Sequence, residues 1–153
     1  GIANNPGTAD DKWGGVPLGL RPYYIVGMLA ATAGYFAFAY FIFVKLNPAR
    51  TRLFDRFGFS AFNVLFLLIL VPSALWMPLT VQMIANPSGL LWLAIRVVLA
   101  TVALGSAGLV AALLSIKDHP AKIARRAAIL GACAFFLHTA LLDAILWPAY
   151  FPA

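Results

Sequence analysis

The 153-residue chain contains no glutamate and five aspartates, and charged residues make up only 10% of it. Soluble domains carry about 25% charged residues, so a chain this poor in charge does not read as an ordinary water-facing globule. Its single cysteine, Cys133, excludes an internal disulfide and any zinc site built on cysteine pairs. Two histidines, His119 and His138, and five scattered carboxylates are too few for a clustered di-metal centre. No H-E-x-x-H, G-x-S-x-G or Walker loop occurs, and no metal site is expected. The chain is instead filled with apolar side chains: 63% hydrophobic and 14% aromatic, with a mean hydropathy of +0.90. That is the composition of a polytopic membrane protein, in which about 20 mainly apolar residues cross ~30 Å of hydrocarbon.

Four stretches of that length are present, at residues 23–46, 58–84, 90–116 and 127–150. They predict an all-α fold: four transmembrane helices in an up-down bundle, forming one domain over residues 23–150. Residues 1–22, rich in Gly, Asn, Pro and Asp, read as an exposed N-terminal segment. The first apolar stretch, followed by three more, reads as a span rather than a cleaved leader. Pro22 suits a first helical turn, and Asn47-Pro48 and Asn86-Pro87-Ser88-Gly89 are chain breakers between spans. Between spans one and two, Arg50, Arg52 and Arg56 alternate with Leu53, Phe54 and Phe57. This segment reads as a short amphipathic helix lying on the membrane, or as a plain basic loop. Pro72 and Pro78 fall inside span two, where each removes a backbone hydrogen bond and is expected to kink the helix. Ser73 and Thr80 are the local donors available to the freed carbonyls.

The eleven Lys plus Arg are unevenly placed. The first connection holds Lys45, Arg50, Arg52 and Arg56, and the third holds Lys117, Lys122, Arg125 and Arg126, while the second has no cation. The positive-inside rule then predicts cytoplasmic first and third connections and both termini outside, most simply in a bacterial inner membrane. Arg50, Arg52, Arg56, Lys122, Arg125 and Arg126 are expected to contact lipid headgroups. This placement gives the net charge of +6 a membrane role and excludes a nucleic-acid reading. Trp76, Trp92, Trp147, Tyr23, Tyr24 and Tyr150 fall toward the outer side, as an aromatic belt would.

Few polar residues interrupt the spans. Arg96 lies ~10 Å inside span three at the helical rise, on a stripe with Ala100, Ala103, Ala107 and Ala111. Asp143 is the one acid inside a span, at similar depth in span four. An Arg96–Asp143 ion pair between the two helices is therefore expected. It would serve as a structural clasp or as a site for an anion, a headgroup or a proton; the alternative is that Arg96 snorkels to the headgroups unpaired. His138 sits near the centre of span four. At about 100° per residue it is well round the α-helix from Asp143. It reads as a histidine bonded to a neighbouring helix, a proton relay, or an axial ligand for haem or a chlorophyll-type pigment. Ala134-x3-His138 with Trp147-Pro148 beyond resembles bacterial light-harvesting polypeptides over residues 134–148, although those polypeptides have one span. That resemblance implies pigment ligation at His138 and no more. Close helix packing is expected at the small residues Ala30, Gly34, Ala100, Ala103, Gly105, Ala107 and Gly108. Asn63, Gln82, Ser106 and Thr139 read as polar glue between helices.

With no catalytic motif and short polar loops, the expected role is a structural or accessory subunit of a larger membrane complex, in contact with lipids and other subunits. The alternative is a transporter or small-molecule binder with a polar pocket around Arg96 and Asp143.

Overall fold

The computed structural model describes residue 13, residues 15–117 and residues 119–151. Most of the segment expected to be exposed at 1–22 lies outside these residues, as does Asp118. In the described part of that segment, Val16 is buried rather than exposed. It packs with Trp13 and Tyr24 at one end of the molecule.

Four helices are long and apolar enough to cross a membrane: Arg21–Lys45, Ser60–Ala85, Gly89–Ser115 and Lys122–Tyr150. Helix α1 (Arg21–Tyr40) begins on Pro22 and ends in a π-helical turn, Phe41–Lys45. Helix α2 (Ser60–Ala85) runs through both Pro72 and Pro78. Thr80 donates its hydroxyl to the Trp76 carbonyl (2.9 Å); the carbonyl freed by Pro78 is that of Ala74, four residues back. Helix α3 (Gly89–Ser115) is capped by Ser88, whose hydroxyl accepts the Leu91 N–H. Helix α4 (Lys122–Leu137) continues as a π-helical segment, His138–Leu146, and then as a last short α-turn, α5 (Trp147–Tyr150).

Arg50 to Phe57 does not form an amphipathic helix. Asn47 closes a turn by accepting the Ala49 N–H on its side chain and the Thr51 N–H on its carbonyl. A two-strand hairpin follows, β1 (Arg52–Leu53) pairing antiparallel with β2 (Phe57–Gly58). Strand alternation explains the outcome, since successive side chains point to opposite faces. Arg52 is exposed and Leu53 is 1% exposed in the core. The turn sets Phe54 and Asp55 at φ +52° and +55°, a left-handed pair of the kind that tight hairpins demand. Arg50, Arg52 and Arg56 remain exposed, as do Lys122 and Arg126, while Arg125 is half-buried.

Helix α1 packs on α4, α2 on α3, and α3 on α4 and its π-helical continuation. The α1–α4 contact runs antiparallel and is closest where Gly34 meets the Gly131 backbone. Ala30 is exposed and takes no part; the buried small face of α1 is Ala31 and Gly34. Gly105 and Gly108 lie against Leu68, Ile69 and Leu65 of α2. Two apolar clusters result. One holds Phe38, Phe41, Leu53, Phe62, Leu109 and Leu113. The other holds Val16, Tyr24, Met83, Ile95, Leu99 and Trp147.

A Cβ on Gly131 would come within 2.7 Å of the Gly34 backbone, which cannot move aside as a side chain can. Gly131→Val is therefore expected to lower stability by about 1–3 kcal/mol, the usual cost of overpacking. Gly89→Ala, where the added Cβ meets nothing within 4 Å, serves as the control. Thermal unfolding in mild detergent measures both; equal melting temperatures would show that the contact does not hold α1 to α4.

Candidate functional site

The expected Arg96–Asp143 pair is not formed. Arg96 is exposed on α3, as are Ala100 and Ala111 of its stripe, while Ala103 and Ala107 are half-buried. A helical side chain leans toward the N-terminus of its own helix, and α3 starts seven residues before Arg96. The guanidinium therefore leans toward the near end of the span, which is the geometry of snorkelling.

The titratable neighbour of Asp143 is His138, with Nε2 at 3.6 Å from Oδ2. In an α-helix these residues, five apart, would diverge. The π-helical segment His138–Leu146 bonds residue i to i+5, and its wider turn brings residues five apart closer to one face than an α-helix does. The wider helix turns two separated groups into a facing pair.

Helix α1 fixes this arrangement from the side. A Cβ on Gly27 would lie 2.7 Å from His138 Nδ1 and 2.9 Å from Leu142, so only glycine lets the imidazole tuck against α1 here. Three residues earlier, the Tyr24 hydroxyl donates to the Leu142 carbonyl (2.9 Å). That carbonyl also accepts the Trp147 N–H in the π-helical ladder. On the other side, the Ser106 and Thr139 hydroxyls, both buried, sit 3.0 Å apart and tie α3 to α4.

Between these contacts lies a cavity of about 50 Å³ lined by Ser73, Trp76, Leu99, Val102, Thr139 and Asp143. By volume it holds roughly one or two waters. Trp76 Nε1 is buried with no hydrogen-bond partner, and so is His138 Nδ1. An unpaired indole donor and a carboxylate acceptor thus line the same small space. A buried donor left without a partner costs about 1–3 kcal/mol, so a water or small polar solute accepting from Trp76 and donating to Asp143 removes a real deficit.

The residues around His138 do not fit a haem or a chlorophyll-type pigment. One ring nitrogen is shut against Gly27 and the other faces Asp143, whereas an axial ligand must aim a nitrogen into tetrapyrrole-sized space. Among the described residues no three His, Cys, Asp or Glu gather into a metal-binding group.

Gly27 and Trp76 are the site residues that residue patterns did not single out. Gly27 carries a signal, since it precedes Ala31 and Gly34 at i+4 and i+7 on one helix face. Trp76 looks like any interfacial tryptophan until its N–H is seen to lack an acceptor.

Compared with family models, with curated proteins and with solved structures, the chain matches none of them.

The hydroxyl pair offers a direct test of how α3 is held. Ser106→Ala, Thr139→Val and the double variant form a cycle whose coupling energy is expected near 0.6 kcal/mol, with about 1.7 as the upper end for such bonds in membranes. Chemical denaturation in micelles reads it, and strict additivity would mean that the bond contributes nothing.

Proposed function

We propose that this is an integral membrane protein that takes up and releases a proton at an intramembrane site centred on His138 and Asp143. One observation carries the reading: two titratable side chains 3.6 Å apart inside a membrane-spanning helix, beside a small cavity that also holds an unpaired indole N–H. Ionisable groups at membrane depth are costly and characteristic of proton and ion pathways. π-Helical turns are frequent at functional sites. The cavity is too small for an organic solute, which leaves protons and water as the species it accommodates. In this reading His138 and Asp143 exchange the proton. Tyr24 and Gly27 position the π-helical segment, and Trp76 orients the bridging water. The helices cross the bilayer in up-down order, with bends at Pro72 and Pro78. The basic connections lie in the cytoplasm of a bacterial cell and both termini lie outside.

A second reading has its own support. Arg96 and Ala100 expose a charged, small-residue face of α3 among the described residues. Small residues let another helix approach closely. An accessory role in a larger membrane complex, with a partner helix seated there, is compatible with proton exchange at the other face of the helix pair.

Reconstitution into vesicles with a trapped pH dye and a clamped potential tests the first reading. The wild-type protein is expected to relax an imposed pH gradient faster than protein-free vesicles. Asp143→Asn and His138→Gln should each slow this by about a hundredfold or more, the range for a positioned proton-transfer group. Arg96→Gln should leave the rate unchanged. Wild-type vesicles no leakier than empty ones would refute proton exchange across the membrane.

A further inference from the structure

At the other end of the spans, three separate stretches of chain bring cations to one recess. Lys45 comes from the last turn of the first span, Arg50 and Arg52 from the turn and β1, and Lys117 and His119 from the chain just beyond α3. The recess measures about 660 Å³, and Asp55 is the carboxylate among its described lining residues. Among the described residues, four permanent cations thus face one acid. His119 is held in place: its Nδ1 accepts the Ala121 N–H at 3.2 Å, and its ring stands edge-on to Phe41 at 5.1 Å. A neutral imidazole bonded in this way carries its hydrogen on Nε2, which makes that nitrogen a donor. Asn47, whose carbonyl oxygen Oδ1 is taken by Ala49, keeps its side-chain NH₂ as a further donor. The recess therefore offers donors and positive charge, the chemistry that binds a phosphate.

A second feature says what carries that phosphate. Arg52 lines the basic recess, and the next residue, Leu53, lines an apolar groove of about 590 Å³ on the opposite face of the hairpin. The groove runs between the hairpin, the start of α2 and the last turns of α3, past Val64, Leu65, Gly108 and Ala111. On α3 the two features are one turn apart, Ala111 and Ala112 facing the groove and Ser115 and Ile116 the recess. Gly108 lies against the Leu65 side chain, whose Cδ2 would stand 2.8 Å from a Cβ added there. A free phosphate would use the recess alone and leave the groove unexplained. An acidic peptide would have no reason to enter an apolar furrow on a membrane-spanning helix pair. A phospholipid has both parts, and basic pockets at the cytoplasmic ends of membrane helices are the usual seats of acidic headgroups.

We propose that the recess and the groove together form a site for one acidic phospholipid. Lys45, Arg50, Arg52 and Lys117 hold the headgroup phosphate, and an acyl chain lies along Leu65, Gly108 and Ala111. The site is separate from the His138–Asp143 pair and does not depend on the function proposed there.

Native mass spectrometry of the full chain, released from detergent after titration with phosphatidylglycerol or phosphatidylcholine, reads the occupancy. Phosphatidylglycerol is expected to bind at one copy per chain and phosphatidylcholine weakly. The double variant Arg50→Gln/Arg52→Gln should weaken phosphatidylglycerol by about thirtyfold, the effect of two surface cations. Arg50→Lys/Arg52→Lys should restore most of it, which separates lost charge from lost folding. Lys122→Gln/Arg126→Gln, which removes two cations outside the recess, should change little. Ala111→Phe, which fills the groove, should weaken the lipid while leaving the recess intact. Equal binding of the two lipids, or equal loss in both double-glutamine variants, would overturn the proposal in favour of diffuse surface charge. Displacement by inorganic phosphate, with unchanged lipid binding in Ala111→Phe, would overturn it in favour of a soluble anion.

Discussion

Helices in a bilayer gain little from hiding apolar surface from one another, because lipid tails are as apolar as leucine; they associate through close packing and a few polar contacts. In this protein the closest packing is the backbone contact between Gly34 of α1 and Gly131 of α4. Its consequences propagate along the helix pair. With α1 seated there, Gly27 comes up against His138 two turns away, and Tyr24 reaches the Leu142 carbonyl. Both contacts fall on the π-helical segment. A tyrosine hydroxyl on one of its carbonyls and a glycine-sized gap for its histidine hold the wider helix in register. Removing the glycine contact would therefore loosen the π-helical segment as well as the bundle.

Arg96 and Asp143 meet the cost of an ionisable group within a span in different ways. Arg96 is long, sits near the start of its helix and leans toward that start, so it can reach the interface from an exposed face. Asp143 is short and cannot. It is kept inside, with His138 at ion-pair distance and a cavity on its other side. The difference follows from side-chain length and helix direction. It makes Asp143, not Arg96, the residue that the surrounding structure must accommodate.

Much of this was legible in the sequence and some was not, for identifiable reasons. The number of helices follows from hydropathy, and Asn86-Pro87-Ser88-Gly89 marks the second connection; the fourth helix starts at Lys122, not at 127, because its first turns carry Lys122, Arg125 and Arg126, which read as loop. The packing face of Gly105 and Gly108 is marked by glycine spacing. The hairpin was obscured because Arg50, Arg52, Leu53 and Phe54 suit a surface helix as well as a strand, and only the burial of Leu53 decides between them. On α1, Ala30 and Gly34 share the right spacing, yet Gly27, Ala31 and Gly34 share it too, and packing selects the second set. The pairing of His138 with Asp143 was hidden most deeply. Any reading at 3.6 residues per turn separates them, and no side chain between 138 and 146 announces a widened helix.

The two ends of the molecule are built to different purposes, and Trp76 links one end to the centre. Its indole lines the Asp143 cavity, and its ring stands edge-on to Trp147 at 5.8 Å. Trp147 in turn packs against Trp92 and Phe151, closing that end with aromatic rings. A water entering or leaving the cavity changes the hydrogen bonding of Trp76, and Trp76 cannot shift without disturbing Trp147. In the proposed proton exchange, a change at Asp143 would reach the aromatic cluster through Trp76. The other apolar cluster, which holds Phe38, Phe41 and Leu53 at the basic end, also reaches the cavity through Val102.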